Sequence, residues 1–182
     1  MELMGLYFIA ASLLVGAGIA KTLDPGDTAR AMAAIVPGRH RLDRAVRIGA
    51  MGEVVLGLTA LLWPRPGLAA LVAASYLAFA VYVVYIRHQH GVLATCGCFG
   101  QPDTPATGLH IVVNLALAAG AAGVALQTTS SATLGSVLSA QPWHGIPILL
   151  ASSAGLWLTY LTLTGLPYLH AVRRQVARGA PS

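Results

Sequence analysis

The fold is decided by residues 67–86, which read GLAALVAASYLAFAVYVVYI and contain no charged side chain. About 20 consecutive apolar residues let a helix cross a bilayer, so this stretch predicts a transmembrane helix. The rest of the 182-residue chain agrees, because 56% of its residues are hydrophobic, 9% are charged and its mean hydropathy is +0.70. Soluble globular chains carry about 25% charged residues. The composition therefore excludes a soluble globular protein.

Four further apolar stretches are long enough, or nearly so, to cross the membrane. They cover residues 3–20, 47–63, 109–127 and 146–168. The first begins beside acidic Glu2 with no basic residue, so it predicts a retained span rather than a signal peptide. The expected fold is an all-α integral membrane protein. Residues 1–127 would form a four-helix transmembrane bundle, and residues 128–182 would add an exterior loop, a fifth transmembrane helix and a basic cytoplasmic tail.

The basic residues predict the orientation of these spans. Five crossings place residues 21–47, residues 87–108 and the C-terminal tail on one face, which holds ten of the eleven Lys and Arg residues. Arg65 is alone on the other face. By the positive-inside rule, the C-terminus is then cytoplasmic and the N-terminus exterior. The net charge of +5 therefore indicates membrane topology rather than nucleic-acid binding.

A short helix is predicted between the first two spans. Asp27 is suited to cap it, and Pro37-Gly38 would end it after Val36. Its apolar residues share one side: Ala29, Met32, Ile35 and Val36. We expect this helix to lie on the membrane surface with that side towards the lipid.

Glu53 is the acidic residue inside a predicted span, and ionisable groups at that depth are functional candidates. Gly49 and Gly57 lie four residues before and after it, so all three share one helix face. Small residues allow helices to approach closely, which predicts that Glu53 points into the bundle. Two roles remain open for its carboxyl group: a packing hydrogen bond, or proton handling and tuning of a thiol.

Other polar residues are expected at the same end of the bundle as Glu53. Asn114 in the fourth span predicts an interhelical hydrogen bond or a group that orients Glu53. His110 is interpreted as an interfacial histidine, and Tyr82 as part of an aromatic belt without a catalytic role. The number of crossings alone puts Glu53, Asn114 and His110 in one leaflet with Lys21 and with the chain's two cysteines.

Those cysteines lie in the sequence TCGCFG, residues 95–100, just before the fourth span. A disulfide between near neighbours closes a strained ring, and strained disulfides are the labile, more oxidising kind. Cys96 and Cys98 therefore predict dithiol–disulfide exchange. A nearby cation or helix N-terminus would favour the reactive thiolate. Candidate neighbours are Arg87, His88, His90 and His110.

Two alternatives compete with thiol exchange. His88 and His90 precede Cys96 and Cys98, and thiolate with imidazole suits zinc, copper or a related soft metal. The chain would then bind or transport that metal. In the second alternative, the cysteines and Glu53 only secure packing in a non-catalytic scaffold subunit.

The chain resembles the methylamine-utilisation protein MauE family, within the DoxX-like group of redox-associated membrane proteins. The resemblance rests on GIAKTLDP at residues 18–25, on Glu53 followed by Gly57, and on CGCFG at residues 96–100. In the fourth span the family often carries an Arg-Asn pair, whereas this chain has Val113 before Asn114. The resemblance covers about residues 3–127.

The resemblance implies a membrane protein that assists the maturation, processing or export of a disulfide-rich client. In the namesake system, that client is the methylamine dehydrogenase small subunit. The resemblance also implies a thioredoxin-like partner. A four-helix bundle with a thiol pair at one end is similar to quinone-linked thiol oxidases of the DsbB and vitamin K epoxide reductase type, which makes a quinone the candidate cofactor. Oxidation belongs on the exterior face, so the predicted cytoplasmic cysteines leave the direction of electron flow open.

Overall fold

A computed structural model describes residues 2–33, 39–90, 107–127 and 152–159, with single positions at 135, 139, 150 and 161. The helices are α1 (Glu2–Leu23), α2 (Gly26–Ala33), α3 (Arg39–Leu62), α4 (Pro66–His90) and α5 (Gly108–Ala125). Four segments are long and apolar enough to cross a membrane: Leu3–Leu23, Leu42–Leu62, Pro66–Gln89 and Gly108–Ala125. No strand occurs in these described ranges. The predicted all-α, multi-pass architecture is confirmed for its first four spans.

The predicted fifth transmembrane helix is not shown. Most of residues 146–168 lie outside the described residues, as does the predicted exterior loop at 128–141, apart from positions 135 and 139. Residues 152–159 are helical, and Gly155 approaches the Ile9 side chain of α1. Eight helical residues span about 12 Å, well short of a bilayer core. The fifth span stays a prediction.

Helix α1 is the central element of the bundle. It packs along α3 on one side and α5 on the other, and α4 packs along α5. Two buried tyrosines join α1 to α3 and to α4 by donating hydrogen bonds to backbone carbonyls. Tyr7 Oη bonds to the oxygen of Ala60 at 2.9 Å, and Tyr76 Oη bonds to that of Ala10 at 2.6 Å. Helices α3 and α4 share few contacts, although a short turn joins them.

Two glycines bring α1 and α3 into close contact. A Cβ atom at Gly57 would lie 2.6 Å from Cγ2 of Val15, and one at Gly18 would lie 2.8 Å from the oxygen of Ala50. The predicted close approach at Gly57 is therefore confirmed. It is wrong for Gly49, where an added Cβ would meet nothing within 4 Å. Ala50 is the residue that packs against α1 at this level, and Gly49 beside it is exposed.

Helix α2 differs from its predicted cap and position. Its backbone begins at Gly26, whose N–H donates to Oδ1 of Asp24 at 3.1 Å, so Asp24 takes the place predicted for Asp27. Pro25 precedes the first helical residue, and its carbonyl oxygen accepts the first hydrogen bond of the helix, from the N–H of Ala29 at 2.9 Å. Ala29 is 2% exposed and packs with Leu42 in the first turns of α3. The apolar side thus faces protein rather than lipid, and residues 34–38 lie outside the described residues.

Helix α3 begins well before the span predicted at 47–63. It starts at Arg39, and its candidate span begins at Leu42. The prediction had assigned only the mostly apolar part of this stretch to the helix. Long arginine side chains, however, keep their charge near the interface while their stems follow the helix. Glu53 consequently lies at the middle of the span Leu42–Leu62 rather than close to its start.

We expect Gly57→Ala to lower the free energy of unfolding by about 1–3 kcal/mol, because the new methyl group would be forced against α1. Gly52→Ala is the matched control, since a Cβ there meets nothing within 4 Å. Reversible unfolding of the purified chain in mixed micelles measures both. Equal stability of the two variants would contradict the close α1–α3 contact.

Candidate functional site

A buried ion pair joins α1 to α3. Nζ of Lys21 donates a hydrogen bond to Oε1 of Glu53 at 2.6 Å and lies 2.5 Å from Oε2. The two side chains are 8% and 18% exposed. The carboxyl group thus has the partner that the sequence left unnamed. Charges at this depth are costly unless they are paired, so this contact explains how both residues can lie inside the bundle.

Helix geometry brings these two side chains together. The Cα–Cβ bond tilts towards the N-terminus of its own helix, and α1 and α3 run in opposite directions. Lys21, in the last turn of α1, therefore leans into the bundle. Glu53 leans the other way along α3, towards the end of α1. The two side chains close the gap between their backbones from opposite sides.

The ammonium group of Lys21 is enclosed by more than its carboxylate partner. Its Nζ lies 4.8 Å from the centroid of the Phe79 ring, a distance that allows a cation–π interaction. Oε2 of Glu53 is buried and has no hydrogen bond of good geometry within the described residues. The ammonium group therefore holds Oε2 by charge rather than by a well-oriented hydrogen bond.

His110 lies in the first turn of α5 and is buried, a feature that the sequence did not predict. Its side chain is 2% exposed, and Nδ1 accepts a hydrogen bond from the backbone N–H of Thr107 at 3.4 Å. Nδ1 also lies 3.0 Å from the Thr107 hydroxyl oxygen. A backbone N–H can only donate, so the proton of the neutral ring is on Nε2. Because a capping pair normally has Glu or Gln at the third helical position, the sequence did not reveal that His110 caps the start of α5.

Asn114 bonds to its own helix rather than to a neighbour. Its Nδ2 donates to the carbonyl oxygen of His110 at 2.7 Å, one turn earlier in α5. The predicted interhelical hydrogen bond is therefore wrong for this nitrogen. The backbone carbonyl at i−4 is the nearest acceptor for a short amide on a helix, which explains the outcome. The predicted role of orienting Glu53 stays a prediction.

A cavity of about 370 Å³ gathers these polar groups at one end of the bundle. Its polar lining includes Lys21, Glu53, Tyr82, His110 and Asn114. The apolar lining includes Leu13, Leu14, Ala17, Val46, Ala50, Phe79 and Leu117. Four polar residues that the sequence assigned to one end thus line a common space.

Tyr82 is the residue whose place sequence reasoning missed. It was assigned to an aromatic belt, but its Oη is buried, and no hydrogen-bond partner for it occurs in the described part of the chain. Tyr85, three residues further on, is 44% exposed and fits the belt. Helical spacing was the available signal, since Tyr82 falls near the face of Tyr76 and Phe79 whereas Tyr85 is turned outward.

Cys96 and Cys98 lie outside the described residues, which stop at His90 and resume at Thr107. The ends on either side of that segment are adjacent, because a Cβ at Gly108 would lie 3.0 Å from Nη1 of Arg87. His88 is exposed near the end of α4. Among the described residues, no group of three His, Cys, Asp or Glu side chains is arranged to hold a metal ion.

A family model described as methylamine utilisation protein MauE matches residues 2–127, the whole of α1–α5. The chain belongs to the MauE family. It is therefore a multi-pass membrane protein of a family linked to methylamine utilisation, as the resemblance at residues 18–25 and 96–100 predicted. Comparison with curated proteins and with solved structures gave no match.

We expect Lys21→Met to lower the free energy of unfolding by about 3–5 kcal/mol, because Glu53 would be left buried without a partner. Adding Glu53→Leu should recover much of that loss, since no unpaired charge then remains. Arg65→Met, an exposed cation at the other end of the bundle, is the control. Unfolding in mixed micelles measures all of them. A double variant no more stable than Lys21→Met would contradict the pairing.

Proposed function

We propose that this MauE-family chain is a membrane thiol–disulfide redox protein that acts through Cys96 and Cys98. It would assist the maturation or the electron supply of a disulfide-containing client, together with a thioredoxin-like partner. One observation carries the proposal: the cysteine segment connects the adjacent ends of α4 and α5, at the end of the bundle where Glu53 and His110 line a common cavity. Family membership supports it independently.

The covalent chain allows the cysteines to reach this cavity. Cys96 follows His90 by six residues, and an extended chain covers at most about 3.5 Å per residue, or about 20 Å in all. Cys98 is tethered to Thr107 in the same way. Exposed loops that stand on a rigid scaffold commonly carry catalytic side chains. The proposal therefore needs no rearrangement of the helices to bring a thiol close to the carboxyl group of Glu53.

In the proposed reaction, one cysteine loses its proton and attacks a disulfide of the client. The client bond breaks, one client sulfur leaves as a thiolate and takes up a proton, and a mixed disulfide forms. The second cysteine then attacks the mixed disulfide, releases the reduced client and closes the bond between Cys96 and Cys98. Two electrons have moved to the client, and the thioredoxin-like partner restores the dithiol. Reversal of every step oxidises the client instead.

Glu53 would receive the proton that the attacking thiol loses. Both of its oxygens lie against Nζ of Lys21, so the proton would go to Oε2 while Oε1 keeps the hydrogen bond that Lys21 donates. Asn114 would orient the carboxyl group from the facing wall of the cavity. Lys21 would hold the carboxyl group in place through its hydrogen bond to Oε1.

The distribution of basic residues supports a cytoplasmic position for the cysteine segment. The electrons would then come from the cytoplasm, a compartment that keeps thiols reduced. They would reduce the client there or be passed on across the membrane. A soft-metal site is the second candidate, because His88 and His90 end α4 immediately before the cysteines. Zinc or copper bound there would use both imidazoles and both thiolates.

Trapping a mixed disulfide tests the proposed exchange. We expect one of the variants Cys96→Ser and Cys98→Ser to accumulate a covalent complex with a partner protein that dithiothreitol releases, because the resolving thiol is missing. The double variant is the matched control and should trap nothing. No complex with either single variant, together with full function of the double variant, would leave only the scaffold alternative.

A membrane-impermeant maleimide separates the two possible faces. If the cysteines are cytoplasmic, they should react only after the cells are opened, and should react before that if they are exterior.

Metal analysis of the purified chain addresses the second candidate. Stoichiometric zinc or copper that disappears with His88→Ala and His90→Ala would favour metal binding over thiol exchange.

A further inference from the structure

Exposed lining residues indicate that the cavity opens laterally between α3 and α4. Gly49 on α3 and Ala78 on α4 line it and are nevertheless exposed on the outer surface of the bundle. These two helices share few contacts, whereas α1 and α5 close the opposite wall. Thr28 and Met32 of α2 cover the end that faces the membrane surface. The side entrance therefore faces the bilayer and would admit molecules dissolved in lipid.

The lining is mostly apolar and carries a few polar groups. Leucine, alanine and valine side chains form most of the wall, which disfavours filling by water. Among the polar groups, Oε2 of Glu53 lies against Nζ of Lys21, whereas the buried Tyr82 hydroxyl has no hydrogen bond in the described part of the chain. A ligand oxygen could accept a hydrogen bond from this hydroxyl.

The volume also indicates a small organic ligand. An engineered apolar cavity of about 150 Å³ is enough to bind benzene, and drug-sized ligands occupy pockets of about 300–1,000 Å³. At about 370 Å³, this cavity accommodates one ring with substituents, or a bent stretch of alkyl chain. Lys21 and Glu53 neutralise one another, so the site lacks the net charge that a strongly ionic ligand would require.

We propose that this cavity binds a lipid-soluble, uncharged molecule with an apolar body and a carbonyl or hydroxyl oxygen, which enters between α3 and α4 and places that oxygen against the Tyr82 hydroxyl. An isoprenoid quinone and a long-chain alcohol share this chemistry. The cavity also contains Glu53 of the proposed thiol exchange, so ligand binding is measured separately from trapping.

A pair of glycine variants tests the site without disturbing the helices. Gly49→Leu puts a side chain into the cavity entrance, and no atom lies within 4 Å of the added Cβ. Gly52→Leu adds the same side chain on the same helix in equally open space, but away from the cavity. Tyr82→Phe removes the head-group donor, and Tyr85→Phe is its exposed control.

The measurement is equilibrium binding to the purified full-length chain in nanodiscs, with ubiquinone-1 and oleyl alcohol as separate probes. We expect at least one probe to bind the unmodified chain and the two control variants equally. Gly49→Leu should weaken binding at least tenfold, and Tyr82→Phe should weaken it about three- to tenfold, the usual range for one hydrogen bond. Binding of ubiquinone-1 alone indicates a ring-specific site, and binding of oleyl alcohol alone indicates a site for an alkyl chain.

Two results would overturn the proposal: no binding of either probe, or equal binding by Gly49→Leu and Gly52→Leu. The double variant Cys96→Ser, Cys98→Ser should bind as well as the unmodified chain. If it does so while the trapping experiment fails, the ligand site survives and the thiol mechanism does not. If trapping succeeds while neither probe binds, the thiol mechanism survives and the ligand site does not.

Discussion

The pairing of one ammonium group with one carboxylate inside the bilayer determines the arrangement of this bundle. Neither charge could lie at the depth of Glu53 alone, because lipid offers no hydrogen bonds and the cost of a lone buried charge is large. Lys21 meets Glu53 only if α1 and α3 run in opposite directions at close range and in one register. The close approaches at Gly18 and Gly57 supply that register, and Phe79 encloses the cation from a third helix.

The cavity follows from the same register. Glycine holds α1 and α3 together on one side, and α4 packs on α5 on the other, so few contacts remain between α3 and α4. A bundle that is closed on three sides and loose on the fourth leaves a space at the loose side. Lys21 and Glu53 line that space.

Sequence patterns predicted the spans because apolar runs of membrane length seldom occur outside transmembrane helices. They also predicted that Glu53 points inward, since its glycine neighbours mark the packed face. Sequence patterns did not predict the surroundings of Asp27, Tyr82 and His110, because these depend on the groups that lie opposite each residue. Helical periodicity specifies the face of a residue but not its partner. A basic residue at a helix end equally fits the interface, so Lys21 could not be named as the partner of Glu53.

The burial of Lys21 has a chemical consequence, because it is the only lysine in the chain. With 6% of its surface accessible, its amine is shielded from acylating reagents for as long as α1 and α3 stay joined. Any event that parts the two helices would expose a primary amine at one known position. Acylation of Lys21 would therefore report that the two helices have separated, since no other side chain of the sequence is a primary amine.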